Sequence, residues 1–145
     1  MNTEVQEPVT AACAMRLHLP QPYTYVPLTA FLHYSRQDPY AVRVTFRFST
    51  GDDPVVWYIG RDLLRDGLAH PTGEGDVQIS PDPELAVIVI GLKVDNDSAT
   101  LTTQSRPVES FLQRTVEVVP YGCESRAPGF VAQREAALAR LLADH

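Results

Sequence analysis

The feature that most constrains this chain is the alternation of apolar and polar residues between Tyr40 and Phe48. In the segment YAVRVTFRF the even positions from 42 to 48 are apolar, and Arg43, Thr45 and Arg47 occupy the odd positions between them. A period of two residues is typical of a β-strand with one buried face. The segment therefore predicts a strand whose outward face carries two arginines.

Other segments predict strands that pair through short turns. They lie at 11–19, 26–34, 55–59, 76–79, 85–94 and 99–105. The segment VVWYI at 55–59 is apolar on both faces, which predicts burial on two sides or a place in a subunit interface. We predict a flexible segment over residues 1–10, which are mostly polar, and a single domain over residues 11–145.

Helical spacing replaces the alternation after residue 105. Val108, Phe111, Leu112 and Thr115 lie at i, i+3, i+4 and i+7, which predicts an amphipathic helix. The Ala- and Leu-rich stretch at 128–144 predicts a terminal helix. Strands followed by helices indicate an α+β fold with mostly antiparallel hairpins.

The stretch RDLLRDGLAHPTGEGDVQI, at 61–79, has three glycines and raises the question of a phosphate-binding loop. Such a loop places its glycines between a strand and a following helix. Here a short helix comes first and a strand follows, while Glu74 and Asp76 would repel a phosphate. We predict a helix that ends with Gly67 in a left-handed conformation, then a tight turn in which Gly73 has a positive φ.

The composition disfavours several classes of function. The 145 residues carry a formal net charge of −6, and Lys93 is the only lysine among twelve basic residues. Such a chain repels nucleic acids and anionic membranes unless its arginines cluster on one face. No signal peptide pattern is present, the longest apolar run, at 85–92, is too short for a membrane helix, and the two cysteines lie far apart. We therefore expect a soluble cytoplasmic protein.

No motif nominates a catalytic, metal or cofactor site. The four histidines are not spaced as ligands with each other or with a cysteine, and the turn at 95–98 lacks the glycine and glutamate of a calcium loop. No nucleophile motif of the GxSxG type occurs. We therefore expect no enzymatic activity, no metal and no cofactor.

Binding of single-stranded nucleic acid is an alternative hypothesis. Arg43 and Arg47 share one face of a predicted strand, and Arg16 lies on another. Clustering of these three arginines on one open sheet face would favour the hypothesis, whereas burial or pairing with carboxylates would oppose it.

Seven sequence blocks together resemble the SsgA-like proteins of sporulating actinomycetes. They are DPYAV at 38–42, Trp57, RDLL at 61–64, Gly67-Leu68, PTGEGDV at 71–77, ESFLQRT at 109–115 and PYG at 120–122. The resemblance implies a Whirly-like fold of two antiparallel sheets with helices, assembled as a trimer. It also implies a non-enzymatic regulator of sporulation-specific septation that recruits FtsZ and contacts other SsgA-like proteins at the septum.

The resemblance supplies no catalytic residues. Exposed aromatic or apolar residues beside turns are the physical candidates for partner contact. We select Trp57, Tyr58, Tyr121 and Gly122 on this basis.

Overall fold

A computed structural model describes residues 8–126 and residue 139. These residues contain seven strands, two helices and a short 3-10 turn. The strands are β1 (Val9–His18), β2 (Tyr25–Ser35), β3 (Asp38–Phe48), β4 (Val55–Gly60), β5 (Val77–Asp82), β6 (Val87–Val94) and β7 (Asp97–Gln104). The helices are α1 (Arg61–Gly67) and α2 (Ser105–Val118), and the 3-10 turn is Glu124–Arg126.

The strands form one antiparallel sheet in the order β4-β3-β2-β1-β7-β6-β5. The α+β class and the antiparallel pairing are confirmed, but the expected division into two sheets is wrong. The reason is the pairing of β1 at both of its edges. One edge of β1 pairs with β2 from Val9 to His18, and at the other edge residues 15–18 pair with β7. One strand thus joins what would otherwise be two separate meanders. The Whirly likeness stays a prediction.

The ends of the domain differ in part from the prediction. Strand β1 begins at Val9, which is buried and pairs with Tyr34. Val9 and Thr10 therefore belong to the sheet and not to the predicted flexible segment, whose residues 1–7 lie outside the described part of the chain. The predicted terminal helix at 128–144 also lies outside the described residues, apart from Ala139, which is helical.

Both helices pack on the same face of the sheet, which we call the inner face. Helix α2 buries Val108, Phe111, Leu112 and Thr115, the four residues that its spacing predicted. It contacts β1 and β6, and α1 contacts β3, β4 and β5. The core between helices and sheet includes Leu32, Val44, Ile79, Ile90 and Leu101.

Gly67 has a different role from the predicted one. It is the last residue of α1 and does not have a positive φ, so the predicted left-handed ending is wrong. A Cβ atom at this position would overlap the side chain of Ile79, so Gly67 allows close packing of α1 against β5. Gly73 does have a positive φ, of 110°, as predicted, and lies in the tight turn before β5.

The opposite face of the sheet, which we call the outer face, is not covered by either helix in the described part of the chain. Along β3 the odd positions point to this face, and Arg43 and Arg47 are exposed. The pairing register places Arg16 on the same face of β1, and Phe31 and His33 on the same face of β2. The alternation that predicted β3 therefore also defines the exposed surface.

Candidate interaction surfaces

The outer face brings together the three arginines of the nucleic-acid hypothesis. Arg43 lies between His33 and Tyr58 on the neighbouring strands, and Arg47 lies opposite Thr29. Arg43 and Arg47 are four residues apart on one strand, a distance of about 13 Å. Arg16 lies two strands from Arg47 and two residues further along the sheet, about 12 Å away.

Two of these arginines lie over aromatic rings of β2. The guanidinium carbon of Arg16 is 4.5 Å from the centre of the Tyr25 ring, and that of Arg47 is 5.9 Å from the centre of the Phe31 ring. The ion pairs found among the described residues involve Arg61 and Arg65 instead. Arg16, Arg43 and Arg47 therefore lie on one open face without a paired carboxylate in this part of the chain.

A shallow pocket of about 230 Å³ opens at one end of this face. Its lining residues are His33, Ser35, Gln37, Asp38, Ala41, Arg43 and Tyr58. Burial lowers the pKa of His33, and the positive charge of Arg43 lowers it further. A neutral imidazole, a guanidinium and a phenol thus lie around a space large enough for one amino-acid side chain.

A second cluster surrounds Arg61, which begins α1 and is only 1% exposed. One guanidinium nitrogen, Nη2, donates to Glu124 Oε1 at 2.7 Å, and the other, Nη1, donates to the carbonyl of Val119 at 2.6 Å. The guanidinium carbon lies 4.8 Å from the centre of the Tyr34 ring and 4.4 Å from that of Tyr121. One arginine therefore links α1, β2 and the segment after α2.

The electrostatics of this cluster follow from its burial. Burial alone would raise the pKa of Glu124, but hydrogen bonds from Arg61 and from backbone N–H groups outweigh that effect and lower it. Gly122, at φ 86°, donates its N–H to the same carboxylate, at 3.2 Å and 3.1 Å to the two oxygens. Burial raises the pKa of Tyr34 to about 12, and its hydroxyl donates to the carbonyl of Pro39.

The four predicted partner-contact residues do not form one surface. Trp57 and Tyr58 are adjacent in β4 and therefore point to opposite faces. Trp57 is partly buried against the core, whereas Tyr58 is 62% exposed on the outer face. Tyr121 and Gly122 lie in the Arg61 cluster, where the Tyr121 ring also contacts Arg65, at 4.6 Å.

Sequence reasoning missed several residues of these surfaces. Arg61 and Glu124 are 63 positions apart, and no local pattern links them. The sequence did carry a signal for Tyr25 and Phe31. In β2 the even positions Leu28, Ala30 and Leu32 point inward, so the odd positions point outward. That alternation was weaker than in β3, since apolar residues occur on both faces.

Two kinds of feature are absent from the described residues. No group of three or more His, Cys, Asp or Glu side chains comes together there in a way that could hold a metal ion. Nor does that part of the chain contain a helix with the length and hydropathy needed to cross a membrane.

Comparison with known proteins places the chain among sporulation proteins. The profile of a family described as "Streptomyces sporulation and cell division protein, SsgA" matches residues 28–124. The sporulation-specific cell division protein SsgB of Streptomyces coelicolor is 39% identical over 120 residues, which cover 81% of this chain and 87% of that protein. SsgB of Thermobifida fusca is 44% identical over 102 residues, covering 69% and 73%.

Solved structures agree with this relationship. One is a structure of SsgB, described in connection with mutations that correlate with longitudinal cell division during sporulation of Streptomyces coelicolor. It superposes with a TM-score of 0.77 at 37% identity, and the match covers 83% of this chain and 95% of that one. An SsgA-like sporulation-specific cell division protein from Thermobifida fusca superposes with a TM-score of 0.80 at 36% identity, covering 90% and 96%. The sequence blocks predicted a pattern closest to SsgB, and SsgB proteins are among these relatives. The chain therefore belongs to the SsgA family of sporulation and cell division proteins.

Proposed function

We propose that the chain is a non-enzymatic regulator of sporulation-specific septation, which acts in the cytoplasm at the septum by protein–protein contact. In this proposal it helps to recruit or position FtsZ and uses no cofactor and no small-molecule substrate. The relatives that carry the name SsgB support the role in division. The observation that most supports contact with a partner is the uncovered outer face, where Phe31, Val56 and Tyr58 are 42%, 47% and 62% exposed.

The proposal includes a homotrimer and contact with other SsgA-like proteins. Strand β4 is the last strand on its side of the sheet, so one of its edges has no strand beside it in the described part of the chain. Val55 and Val56 are also about half exposed there, at 46% and 47%. An edge strand with exposed apolar residues is suited to pairing with another chain. This feature supports assembly.

Tyr58 is the best placed of the predicted contact residues. It is exposed beside Arg43 and lines the pocket of the outer face. Tyr121 and Gly122 offer a second contact point, at the rim of the Arg61 cluster. Trp57 packs against the core, so its substitution would test folding as much as contact.

The test is binding of the purified full chain to FtsZ at physiological salt, with the oligomer mass measured by light scattering in the same sample. We expect saturable binding by a trimer. Tyr58→Ser should weaken binding, whereas Tyr23→Ser, at a fully exposed tyrosine in the turn between β1 and β2, should not. Absence of FtsZ binding by well-folded wild-type protein would overturn the recruitment role.

Binding of single-stranded nucleic acid is a second candidate function. The observation that favours it is the clustering of Arg16, Arg43 and Arg47 on one open face, without carboxylate partners in the described residues. A labelled oligothymidylate measured beside FtsZ tests this candidate. Oligothymidylate binding that weakens steeply with added salt, in a protein that does not bind FtsZ, would favour this candidate over the proposed role as an adaptor that contacts FtsZ.

A further inference from the structure

The outer face is positively charged on a chain that is negative as a whole. At outward-facing strand positions it carries Arg16, Arg43, Arg47 and Lys93, while Asp38, at the start of β3, and Asp82, at the end of β5, are the acidic residues at such positions in the described part of the chain. Asp38 lines the pocket beside Arg43, but the two do not form an ion pair. With a formal net charge of −6, the acids of the protein are concentrated elsewhere.

Three apolar side chains and one threonine form a row across this face between the arginines. The register places Val56, Thr45, Phe31 and Ala12 side by side on β4, β3, β2 and β1. Arg43 precedes this row on β3, and Arg47 follows it. An apolar centre with cationic residues at its border is the arrangement of a protein interface, in which arginine and aromatic residues are enriched.

The spacing of the cations fits a protein segment better than a nucleic acid. Neighbouring arginines are about 12–13 Å apart, which corresponds to about four residues of an extended chain. A single nucleic-acid strand carries a negative charge at every nucleotide, a much closer spacing than that of these arginines. The rings of Tyr25 and Phe31, which would have to stack on bases, are already contacted by Arg16 and Arg47.

We infer that the outer face of β1–β4 docks an acidic segment of a partner protein, whose carboxylates reach Arg16, Arg43 and Arg47 and whose apolar residues cover the row from Val56 to Ala12. The inference rests on the proposed adaptor function and adds the chemistry of the partner. The pocket beside Arg43 receives one side chain of the segment. Charge complementarity selects an acidic partner over a neutral or basic one.

The test uses a matched pair of triple variants of the full chain. Arg16→Gln, Arg43→Gln and Arg47→Gln together remove three charges from the outer face. Arg106→Gln, Arg114→Gln and Arg126→Gln together remove three charges from exposed arginines outside that face. Each set changes the formal net charge from −6 to −9, since −6 − 3 = −9. Any difference between the sets therefore reports position and not total charge.

The probe is a fluorescein-labelled peptide with a glutamate at every fourth position and leucine and serine between them. The same peptide with glutamine for glutamate is its control, and binding is followed by fluorescence anisotropy. We expect the outer-face set to weaken binding of the glutamate peptide at least about eightfold, about two- to fivefold for each arginine, and the control set to change it less than twofold. Both sets are then measured against FtsZ.

The outcomes separate the inference from the proposed function. A glutamate peptide that binds no better than its glutamine control, or equally well to both triple variants, overturns the inference even if FtsZ binds. Peptide binding that depends on the outer-face arginines, in a protein that ignores FtsZ, supports the inference and overturns FtsZ as the partner. Oligothymidylate that binds more tightly than the peptide, through the same arginines, overturns the inference in favour of nucleic acid.

Discussion

Arg61 and Arg16 each lie over a tyrosine ring, in opposite surroundings. Arg61 is 1% exposed, stacks between Tyr34 and Tyr121, and is bonded to the carboxylate of Glu124. Arg16 is exposed, and its guanidinium carbon lies 4.5 Å from the centre of the Tyr25 ring. The same residue types are thus closed off from water in one region and open to it in the other.

The difference teaches how to assign roles to arginine–tyrosine pairs. In the buried cluster the guanidinium of Arg61 is bound by Glu124 and Val119 of the chain itself. The cluster therefore fixes the segment after α2 against α1 and β2. On the outer face Arg16, Arg43 and Arg47 have no paired carboxylate among the described residues, so the carboxylates of a partner can bind them. A buried ion pair adds little net stability when complete, but its disruption leaves a charge without compensation.

The largest expected effect is that of Arg61→Ala. The substitution leaves the buried Glu124 carboxylate without its counter-charge and the Val119 carbonyl without a donor. We expect the free energy of unfolding to fall by about 3–5 kcal/mol. Arg16→Ala, which removes an exposed cation–π contact, should change it by about 1 kcal/mol or less. Urea denaturation of both variants measures the difference, and equal losses would contradict the contrast.

The pH dependence of stability should show whether Arg61 stabilises the buried carboxylate of Glu124. The folded-state pKa of Glu124 is lowered below its ordinary value of 4.5, so the carboxylate contributes stability above pH 4.5 and this contribution is lost as the pH falls through the lowered value. At pH 7 we expect Glu124→Gln to reduce the free energy of unfolding by about 1.5–3 kcal/mol. The difference between wild type and variant should shrink steadily below pH 4.5.

A matched control for this pH series is Glu117→Gln, at an exposed position of α2. Its free energy of unfolding should stay within about 0.5 kcal/mol of wild type at every pH. A Glu124→Gln curve that runs parallel to wild type from pH 7 to pH 3 would show that the carboxylate is not stabilised by Arg61.

The two regions also differ in how far the sequence predicts them. The outer face follows from local periodicity, because alternation in β3 assigns Arg43 and Arg47 to one side without any knowledge of other strands. The same holds for α2, whose four buried residues are those that its spacing selects. Periodicity is a property of neighbouring residues, so it can be read directly from the chain.

The buried cluster cannot be predicted in this way. It joins Tyr34, Arg61, Tyr121 and Glu124, which come from separate elements and share no period. The prediction of Tyr121 and Gly122 as contact residues used only the turn that contains them. For the same reason the joining of both halves of the sheet by β1 was missed, since pairing between distant strands leaves no mark on local spacing.

A smaller effect is expected from the tyrosines that the arginines contact. Tyr121→Leu removes a half-buried ring that lies 4.4 Å from Arg61 and 4.6 Å from Arg65, and we expect a loss of about 2 kcal/mol in the free energy of unfolding. Tyr25→Leu removes an exposed ring and should reduce it by about 0.5–1 kcal/mol. Thermal and urea unfolding measure both. A larger loss for Tyr25→Leu would reverse the assignment of structural and surface roles.

The smallest effect is expected from the outer-face set of Arg16→Gln, Arg43→Gln and Arg47→Gln. Exposed arginines without ion pairs contribute little to folding, so the unfolding free energy should change by about 0.5 kcal/mol or less for each substitution. Removing the repulsion among three cations on one face stabilises the fold, and this reduces the net loss in the free energy of unfolding. Urea unfolding beside the set at 106, 114 and 126 should give similar values for both. If the outer-face set were several kcal/mol less stable, these arginines would be structural like Arg61, and weaker binding by that set would report unfolding instead of a lost contact.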